Sequence, residues 1–212
     1  CALLAFSASR NDDKVGLLLF HSDTQQYIPP RKGQKHALRV VREVLTHGED
    51  EKASSPRPRL RDAFKSRRGR IREARQGTNI AGAIEFFLTV NRRRTVCFVV
   101  SDFIDDEYEH ALRAANRKHD VVAVLITDPR ELQIDDVGLV TLEDAETGLN
   151  LVVDSGSKAF REALSESAER RLSDLRTRLA TSGIDLIHID ASRSVVDPLV
   201  RFFKNREKRV RR

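Results

Sequence analysis

The stretch Thr95-Val-Cys-Phe-Val-Val-Ser-Asp-Phe103 decides the fold class of this chain. Residues 95 to 100 form a run rich in apolar and β-branched side chains, too short for a helix and without the polar alternation of a half-exposed strand. Such a run is typical of a strand buried on both faces of a parallel sheet. Because open parallel sheets bind ligands beyond the carboxyl ends of their strands, Asp102 is the first candidate site residue.

Helical and strand patterns alternate on both sides of this stretch. Strands are predicted at 15–20, 95–101, 120–126 and 184–189. Helices are predicted at 1–9, 33–46, 79–91, 105–118, 158–182 and 195–205, with Gly48 ending the second and Gly183 capping the fifth in a left-handed conformation. Alternation with short connections predicts an α/β fold with a mostly parallel sheet and helices on both faces.

Three segments depart from this alternation. Tyr27-Ile-Pro-Pro30 cannot belong to a central strand, because proline has no N–H to donate, so we predict an edge or loop segment. Residues 49–76 carry many arginines and few large apolar residues, which predicts a mobile insertion. Residues 131–154 predict a small β-hairpin appended after the third strand.

Composition predicts a single domain over residues 1–205, followed by a basic tail at 206–212. The chain has 212 residues, of which 40% are apolar, and a formal charge of +6 concentrated in residues 57–75 and 201–212. A charge run is usually a solvated face. Two cysteines make no disulfide framework or metal signature, and no signal peptide or membrane segment is recognisable, so we expect a cytoplasmic protein.

The first residues predict a fragment. The chain contains no methionine, even at position 1, and Cys1-Ala-Leu-Leu-Ala-Phe6 has the pattern of the second half of an apolar helix. We therefore expect the N-terminus and a first, central strand to be missing. Its neighbours in the sheet would lack a pairing partner, so the isolated chain is expected to be marginally stable.

Several phrases in order resemble domain-of-unknown-function family 58, a von Willebrand factor A-like family usually encoded beside MoxR-type AAA+ ATPases in bacteria. The phrases are Asp13-Lys-Val-Gly-Leu-Leu-Leu-Phe20, Tyr27-Ile-Pro-Pro-Arg-Lys-Gly33, His36-Ala-Leu-Arg39, Gly77-Thr-Asn-Ile80, Ser101-Asp-Phe103 and Thr127-Asp-Pro-Arg-Glu131. The resemblance covers nearly the whole chain except the Arg-rich insertion. It implies a doubly wound, Rossmann-like α/β sheet.

The resemblance also implies a metal-ion-dependent adhesion site at the carboxyl edge of the sheet. Such a site combines an Asp-x-Ser-x-Ser motif, a loop threonine and an aspartate after a central strand, and Thr78 and Asp102 match the last two. The Asp-x-Ser-x-Ser motif is absent, and Ser7-Ala-Ser9 imitates only part of its spacing. With Thr78 and Asp102 alone, this chain is expected to hold Mg²⁺ weakly or not at all.

Ordinary structural roles stand beside these assignments. Asp102 can equally be a turn residue or a helix N-cap, and Thr78 can cap the next helix while also touching a metal. We interpret Asp23 and Asp128 as turn residues, and His188 as a half-buried sheet residue. Cys97, inside the buried run, is expected to behave as a small hydrophobe.

The leading hypothesis is a non-enzymatic, metal-dependent adaptor domain that works with a MoxR-type AAA+ ATPase. One alternative is a phosphohydrolase-like enzyme that uses Asp102 and Asp23 around Mg²⁺. Another is nucleic-acid binding through residues 57–75 and 201–212, which predicts an affinity that falls steeply with salt. That alternative is weakened because no aromatic residues interleave the basic tail for base stacking.

Overall fold

The computed structural model of the chain describes residues 1–21, 24–53, 79–104, 108–128, 136–143 and 150–210. They form two compact units, Cys1–Asn79 and Ile80–Arg212. In the part of the chain so described, no helix is both long and apolar enough to cross a membrane.

The first unit pairs two helices with an antiparallel hairpin. Its elements are α1 (Ala2–Arg10), β1 (Val15–His21), β2 (Thr24–Arg31) and α2 (Gln34–Ala53). The hairpin register runs from Val15 opposite Arg31 to His21 opposite Thr24, with an irregularity between Val15 and Leu17. Its core consists of buried Ala5, Ile28 and Val40, with Val15, Leu17 and Val41 packed against them.

The hairpin corrects the prediction for residues 15–20, which were expected to be a buried strand of the parallel sheet. Strand β1 pairs antiparallel with β2, and Leu17 to Phe20 are only half-buried. Two residues separate β1 from β2, which suits a hairpin, whereas a parallel crossover needs about a dozen residues or more. Pro29 and Pro30 lie in β2 of this two-stranded sheet, so the prediction of an edge segment is confirmed.

Helix α2 runs past its predicted end at Gly48 and continues to Ala53. Glycine inside a helix costs about 1 kcal/mol relative to alanine, but it ends a helix only when it takes a left-handed conformation. Residues 49–53, predicted to open the mobile insertion, are therefore helical. The remainder of that insertion, residues 54–76, lies outside the described residues.

The second unit contains the parallel sheet. Its elements are α3 (Ile80–Val90), β3 (Val96–Ser101), α4 (Tyr108–Lys118), β4 (Asp120–Thr127), β5 (Leu139–Glu143), β6 (Asn150–Asp154), α5 (Lys158–Thr181), β7 (Asp185–Asp190) and α6 (Val196–Val210). The strand order is β3-β4-β7, all parallel, while β5 and β6 form a separate antiparallel hairpin. The mixed α/β class, the parallel pairing of three predicted strands and the appended hairpin are thus confirmed.

Strand β4 is the most buried element of this unit. Val121 to Leu125 are each at most 4% exposed, because β4 has a strand on both sides. Helix α4 turns one face inward through residues spaced at the helical period, namely Tyr108, Ala111, Leu112 and Ala115. This is the face that the sequence pattern predicted.

Asn116 ties the end of α4 to the starts of two strands. Its Nδ2 donates to the carbonyl oxygens of Ser182 (3.3 Å) and Gly183 (3.0 Å), and its Oδ1 accepts from the Val121 N–H at 3.1 Å. Gly183 has φ of +66°, so its predicted role as a left-handed cap is confirmed. One side chain thereby satisfies three backbone groups that α5 and β4 leave open.

Helix α6 extends beyond its predicted end at Asn205 and includes Arg206, which was assigned to a basic tail. The Arg206 guanidinium contacts Asp120 Oδ1 at 2.6 Å and Asp185 Oδ2 at 3.2 Å, and it lies 5.2 Å from the Phe202 ring centroid. These carboxylates raise the pKa of Arg206. They stand at the first residues of β4 and β7, so Arg206 anchors α6 to the amino edge of the sheet.

We predict that Arg206→Ala lowers the free energy of unfolding by about 1.5–3 kcal/mol, since it removes a charged donor that two half-buried carboxylates share. Arg206→Lys should recover only part of this loss, because an ammonium cannot reproduce the planar fork. The control is Arg170→Ala, which removes an exposed pair with Glu166 at 2.9 Å and should change stability by less than about 0.5 kcal/mol. Urea unfolding measures all three variants, and equal losses for Arg206→Ala and Arg170→Ala would contradict the anchoring role.

His119 is a buried histidine at the junction of α4 and β4. Its side chain is 1% exposed, its ring centroid lies 4.8 Å from that of Phe87, and neither ring nitrogen has a hydrogen-bond partner among the described residues. Burial lowers the pKa of His119, and the neighbouring Lys118 lowers it further. The neutral imidazole is therefore favoured in the folded protein.

We predict that His119 makes the fold sensitive to acid. Its pKa is lower in the folded than in the unfolded state, so the contribution of His119 to stability is constant above the unfolded value of about 6.5 and falls as the pH drops below it. Between pH 7.5 and pH 5 the melting temperature of the wild type should fall by about 2–4 °C more than that of His119→Leu. Parallel pH profiles for the two proteins would refute this role.

Candidate functional site

The carboxyl ends of three parallel strands place polar residues along one edge of the sheet. Ser101 ends β3 and Asp102 follows it, Thr127 ends β4, and His188 and Asp190 lie at the end of β7. In the register, Ser101 is opposite Leu125, and Thr127 is opposite Asp190. This is the edge at which open parallel sheets bind their ligands.

Asp102 forms the turn that leaves β3. Its carboxylate Oδ1 accepts from the Ser101 hydroxyl at 3.2 Å and from the Ile104 N–H at 3.3 Å, while the Phe103 N–H donates to Ser101 Oγ at 3.1 Å. The predicted turn role of Asp102 is thus confirmed. The side chain is also exposed, so a solute or a partner can reach the carboxylate.

Phe103 holds this turn in an unusual backbone conformation. It has φ of +55°, a left-handed value that costs a residue with a side chain about 1–2 kcal/mol. The ring is 5% exposed, and its centroid lies 5.5 Å from that of Tyr108, the first residue of α4. Burial of the ring offsets the backbone strain, and the left-handed turn keeps Asp102 at the outer surface while Phe103 points inward.

A cavity of about 130 Å³ lies beside Asp102, between the ends of β3 and β4 and the helix α5. Its apolar lining comes from Phe103, Leu125, Ala168, Leu172 and Leu175, and its polar lining from Asp102, Thr127, Ser165, Glu169, Arg171 and Arg178. The volume approaches the roughly 150 Å³ of an engineered cavity that admits benzene. One apolar group could therefore enter beside the Asp102 carboxylate.

A hydroxyl and imidazole pair completes the polar edge. Thr127 Oγ1 lies 2.8 Å from His188 Nε2. Burial lowers the pKa of His188 and Arg176 lowers it further, against the opposite effect of Asp190. The neutral imidazole is thereby favoured. His188 is half-buried in β7, as predicted, but its contact with Thr127 depends on strand register and has no signal in the sequence.

Asp190 serves as a turn residue after β7. Its Oδ1 accepts from the hydroxyl and the N–H of Ser192 at 2.6 and 2.9 Å, and its other oxygen pairs with Arg193 at 3.2 Å. These hydrogen bonds, with a smaller contribution from Arg193, lower the pKa of Asp190. Asp190 thus resembles Asp102 in position but has a cationic partner.

The other predicted site residues are distributed differently. Thr78 and Asp23 lie outside the described residues, as does the basic run 57–75, and Asp128 is exposed directly after β4. Among the residues that the structure does describe, no group of three or more His, Cys, Asp and Glu side chains is placed to hold a metal ion. The oxygen donors of Asp102 and Ser101 are of the kind that Mg²⁺ prefers, but they make only part of a coordination shell.

Comparisons with known proteins give a family and relatives. A family model described as "Protein of unknown function DUF58" matches residues 1–173. Uncharacterized proteins of Mycobacterium tuberculosis and Mycobacterium bovis are each 26% identical over 208 residues, which is 98% of this chain and 58% of the relative. An uncharacterized protein of Mycobacterium avium is 28% identical over 133 residues, or 61% of this chain and 77% of the relative.

The chain thus spans 58% of the length of the first two curated relatives. No solved structure matches it significantly.

At Phe103 we predict that glycine destabilises the protein less than alanine does, which is the reverse of the order expected inside a helix. Both Phe103→Ala and Phe103→Gly lose the buried ring, but only glycine also relieves the left-handed strain, so Phe103→Gly should be the more stable of the two by about 1 kcal/mol. Phe87, inside α3, is the matched control, and there glycine should be the worse replacement by about 1 kcal/mol. Thermal unfolding of the four variants measures both differences, and the same order at both positions would rule out strain at Phe103.

Proposed function

This chain belongs to the DUF58 family of proteins of unknown function, and we propose that it is a non-enzymatic protein-interaction domain whose contact site is the carboxyl edge around Asp102. The proposal rests on the position and exposure of the Asp102 carboxylate. An exposed carboxylate is held at the end of a parallel strand by a left-handed turn and stands beside a small apolar cavity. A polar contact next to an apolar pocket is the arrangement by which protein partners anchor a side chain.

The proposal includes a divalent cation at this edge, with Asp102 and Thr78 as its ligands from this chain. Asp102 supplies an exposed carboxylate just after the end of β3, an oxygen donor suited to Mg²⁺. When bound, the cation would offer an open coordination position to a carboxylate of the partner. The remaining ligands would come from outside the described residues, in keeping with the von Willebrand factor A-like arrangement that we propose for the complete sheet.

The partner that we propose is a MoxR-type AAA+ ATPase, with the domain acting in the cytoplasm as an adaptor between that ATPase and a client protein. This part of the proposal rests on the sequence resemblance. The geometry is compatible with it, because Asp102 and the polar lining of the cavity, including Arg171, face an accessible surface. A docked segment could contact that surface without entering the sheet.

Calorimetry and binding assays test this function with Asp102→Ala and a matched control, Asp190→Ala. Both variants remove a carboxylate from a strand end, but only Asp102 is assigned to the metal. We expect Asp102→Ala to reduce Mg²⁺ affinity at least about tenfold, since Mg²⁺ is bound through one or two carboxylates. Asp190→Ala should leave the affinity unchanged. Association with the ATPase should weaken in Asp102→Ala and after chelation with EDTA.

Three results would contradict the proposal. ATPase association that is unchanged by EDTA and by Asp102→Ala would place the contact elsewhere on the protein. Metal-dependent hydrolysis of a phosphate ester, abolished by Asp102→Ala, would favour the phosphohydrolase alternative. Binding of nucleic acid that is unaffected by Asp102→Ala and weakens steeply with salt would instead favour the basic segments.

A further inference from the structure

Basic side chains from three helix ends gather at the amino edge of the parallel sheet, on the side opposite to Asp102. One group follows the end of α3, the second ends α4, and the third lies in the last turns of α6. All of these side chains are exposed. We name them the amino-edge basic surface, which consists of Arg92 to Arg94, Arg117, Lys118, Lys204 and Lys208.

Hydrogen bonds and an ion pair bring the three helix ends together. Lys118 Nζ, on α4, donates to the carbonyl oxygen of Leu88, on α3, at 3.4 Å. The carbonyl oxygen of Thr95, directly after the arginine run, accepts from the Asp120 N–H at 2.9 Å. Asp120 in turn pairs with Arg206 of α6, which is two positions from each lysine of that helix. The basic groups therefore form one surface, although they are far apart in sequence.

No neighbouring acids balance the charges of this surface. Within the described ranges none of its cations has an ion pair, and the two carboxylates at this edge, Asp120 and Asp185, are engaged by Arg206. On α5, by contrast, two cations pair with glutamates one turn away, as is usual on a solvated face. Like charges four residues apart, such as Lys204 and Lys208, destabilise a helix. A bound anion would relieve this repulsion.

We propose that the amino-edge basic surface binds an acidic segment of a partner protein. Consecutive arginines offer guanidinium groups that match carboxylates in charge and in planar geometry. A polypeptide fits better than a nucleic acid because α3 and α4 end here and direct the negative ends of their dipoles to this edge. Phosphates are bound preferentially at helix N-termini. A peptide also brings N–H donors for the carbonyl oxygens of the helix ends, whereas a phosphate backbone brings acceptors.

This inference goes beyond the proposed function and requires no metal. Strand β3 has six residues and separates the arginine run from Asp102, a length of about 20 Å at the usual rise of a strand. A partner on the amino-edge basic surface therefore leaves the carboxyl edge free. The two sites can be occupied together, and either assignment can fail without the other.

Fluorescence anisotropy of a labelled poly-L-glutamate peptide, with the whole protein in EDTA, tests the inference. Replacing each arginine of the run 92–94 by glutamine should raise the dissociation constant at least about fivefold, because three exposed ion pairs are lost. The matched control replaces Lys35, Arg39 and Arg42, three exposed cations of α2, by glutamine and removes the same net charge. It should change the dissociation constant by less than about twofold, because screening confines the attraction to nearby charges.

Three results would overturn the inference. Equal losses in the two triple variants would reduce the effect to net charge. A wild-type protein that does not bind the peptide at low salt would leave the surface without an acidic partner. If the 92–94 variant lost affinity for a DNA duplex but kept its affinity for poly-L-glutamate, the surface would be a nucleic-acid site.

Thermal unfolding separates binding from a structural role of the arginine run. The run begins two residues after α3 ends at Val90, and the effect of the dipole falls off within the last turn. The 92–94 variant should therefore melt within about 1 °C of the wild type, or higher. A melting temperature lower by more than about 4 °C would show that the run stabilises the fold, against the inference.

Discussion

The pairing of β4 on both of its edges is the constraint on which the second unit depends. Strands β3 and β7 satisfy its backbone groups in parallel register, and its five central side chains are almost completely buried. A parallel strand can be placed in this way only when helices cover both faces of the sheet. Several polar contacts of the unit stand at the ends of this strand, where the pairing stops, among them those of Asp120 with Arg206 and of Thr127 with His188.

The amino and carboxyl ends of the parallel strands have different roles. At the amino edge, Asp120 and Asp185 meet Arg206, and Asn116 joins α4 to β4 and to the end of α5, so this edge fixes the helices. At the carboxyl edge, the side chains of Asp102 and Asp190 stabilise their own turns, while Thr127 pairs with His188. The carboxyl edge therefore has an accessible carboxylate and a cavity beside it, which is why we assign the contact site there.

Backbone strain and exposed apolar side chains both occur at β3. The left-handed Phe103 lies two residues after the strand, and Val96 at the start of the same strand is 50% exposed. Residues in costly conformations persist when surrounding packing determines them, as the Phe103 ring does against Tyr108. The packing of Phe103 and the exposure of Asp102 therefore depend on the same turn after β3.

The sequence by itself determined the local structure: the three parallel strands, the inward face of α4, the left-handed Gly183 and the turn at Asp102. Each follows from residue types within a few positions of one another. The sequence overestimated the burial of β3, in which only Val99 is buried and Val96 is 50% exposed. It did not determine the pairing of residues 15–21 or the continuation of α2 past Gly48. Nor did it show that Arg206 belongs to α6 and pairs with Asp120. Only the tertiary structure decided these, because strand partners, helix ends and ion pairs depend on groups distant in sequence. The Thr127 and His188 pair, separated by 61 positions, shows the same limit within the candidate site.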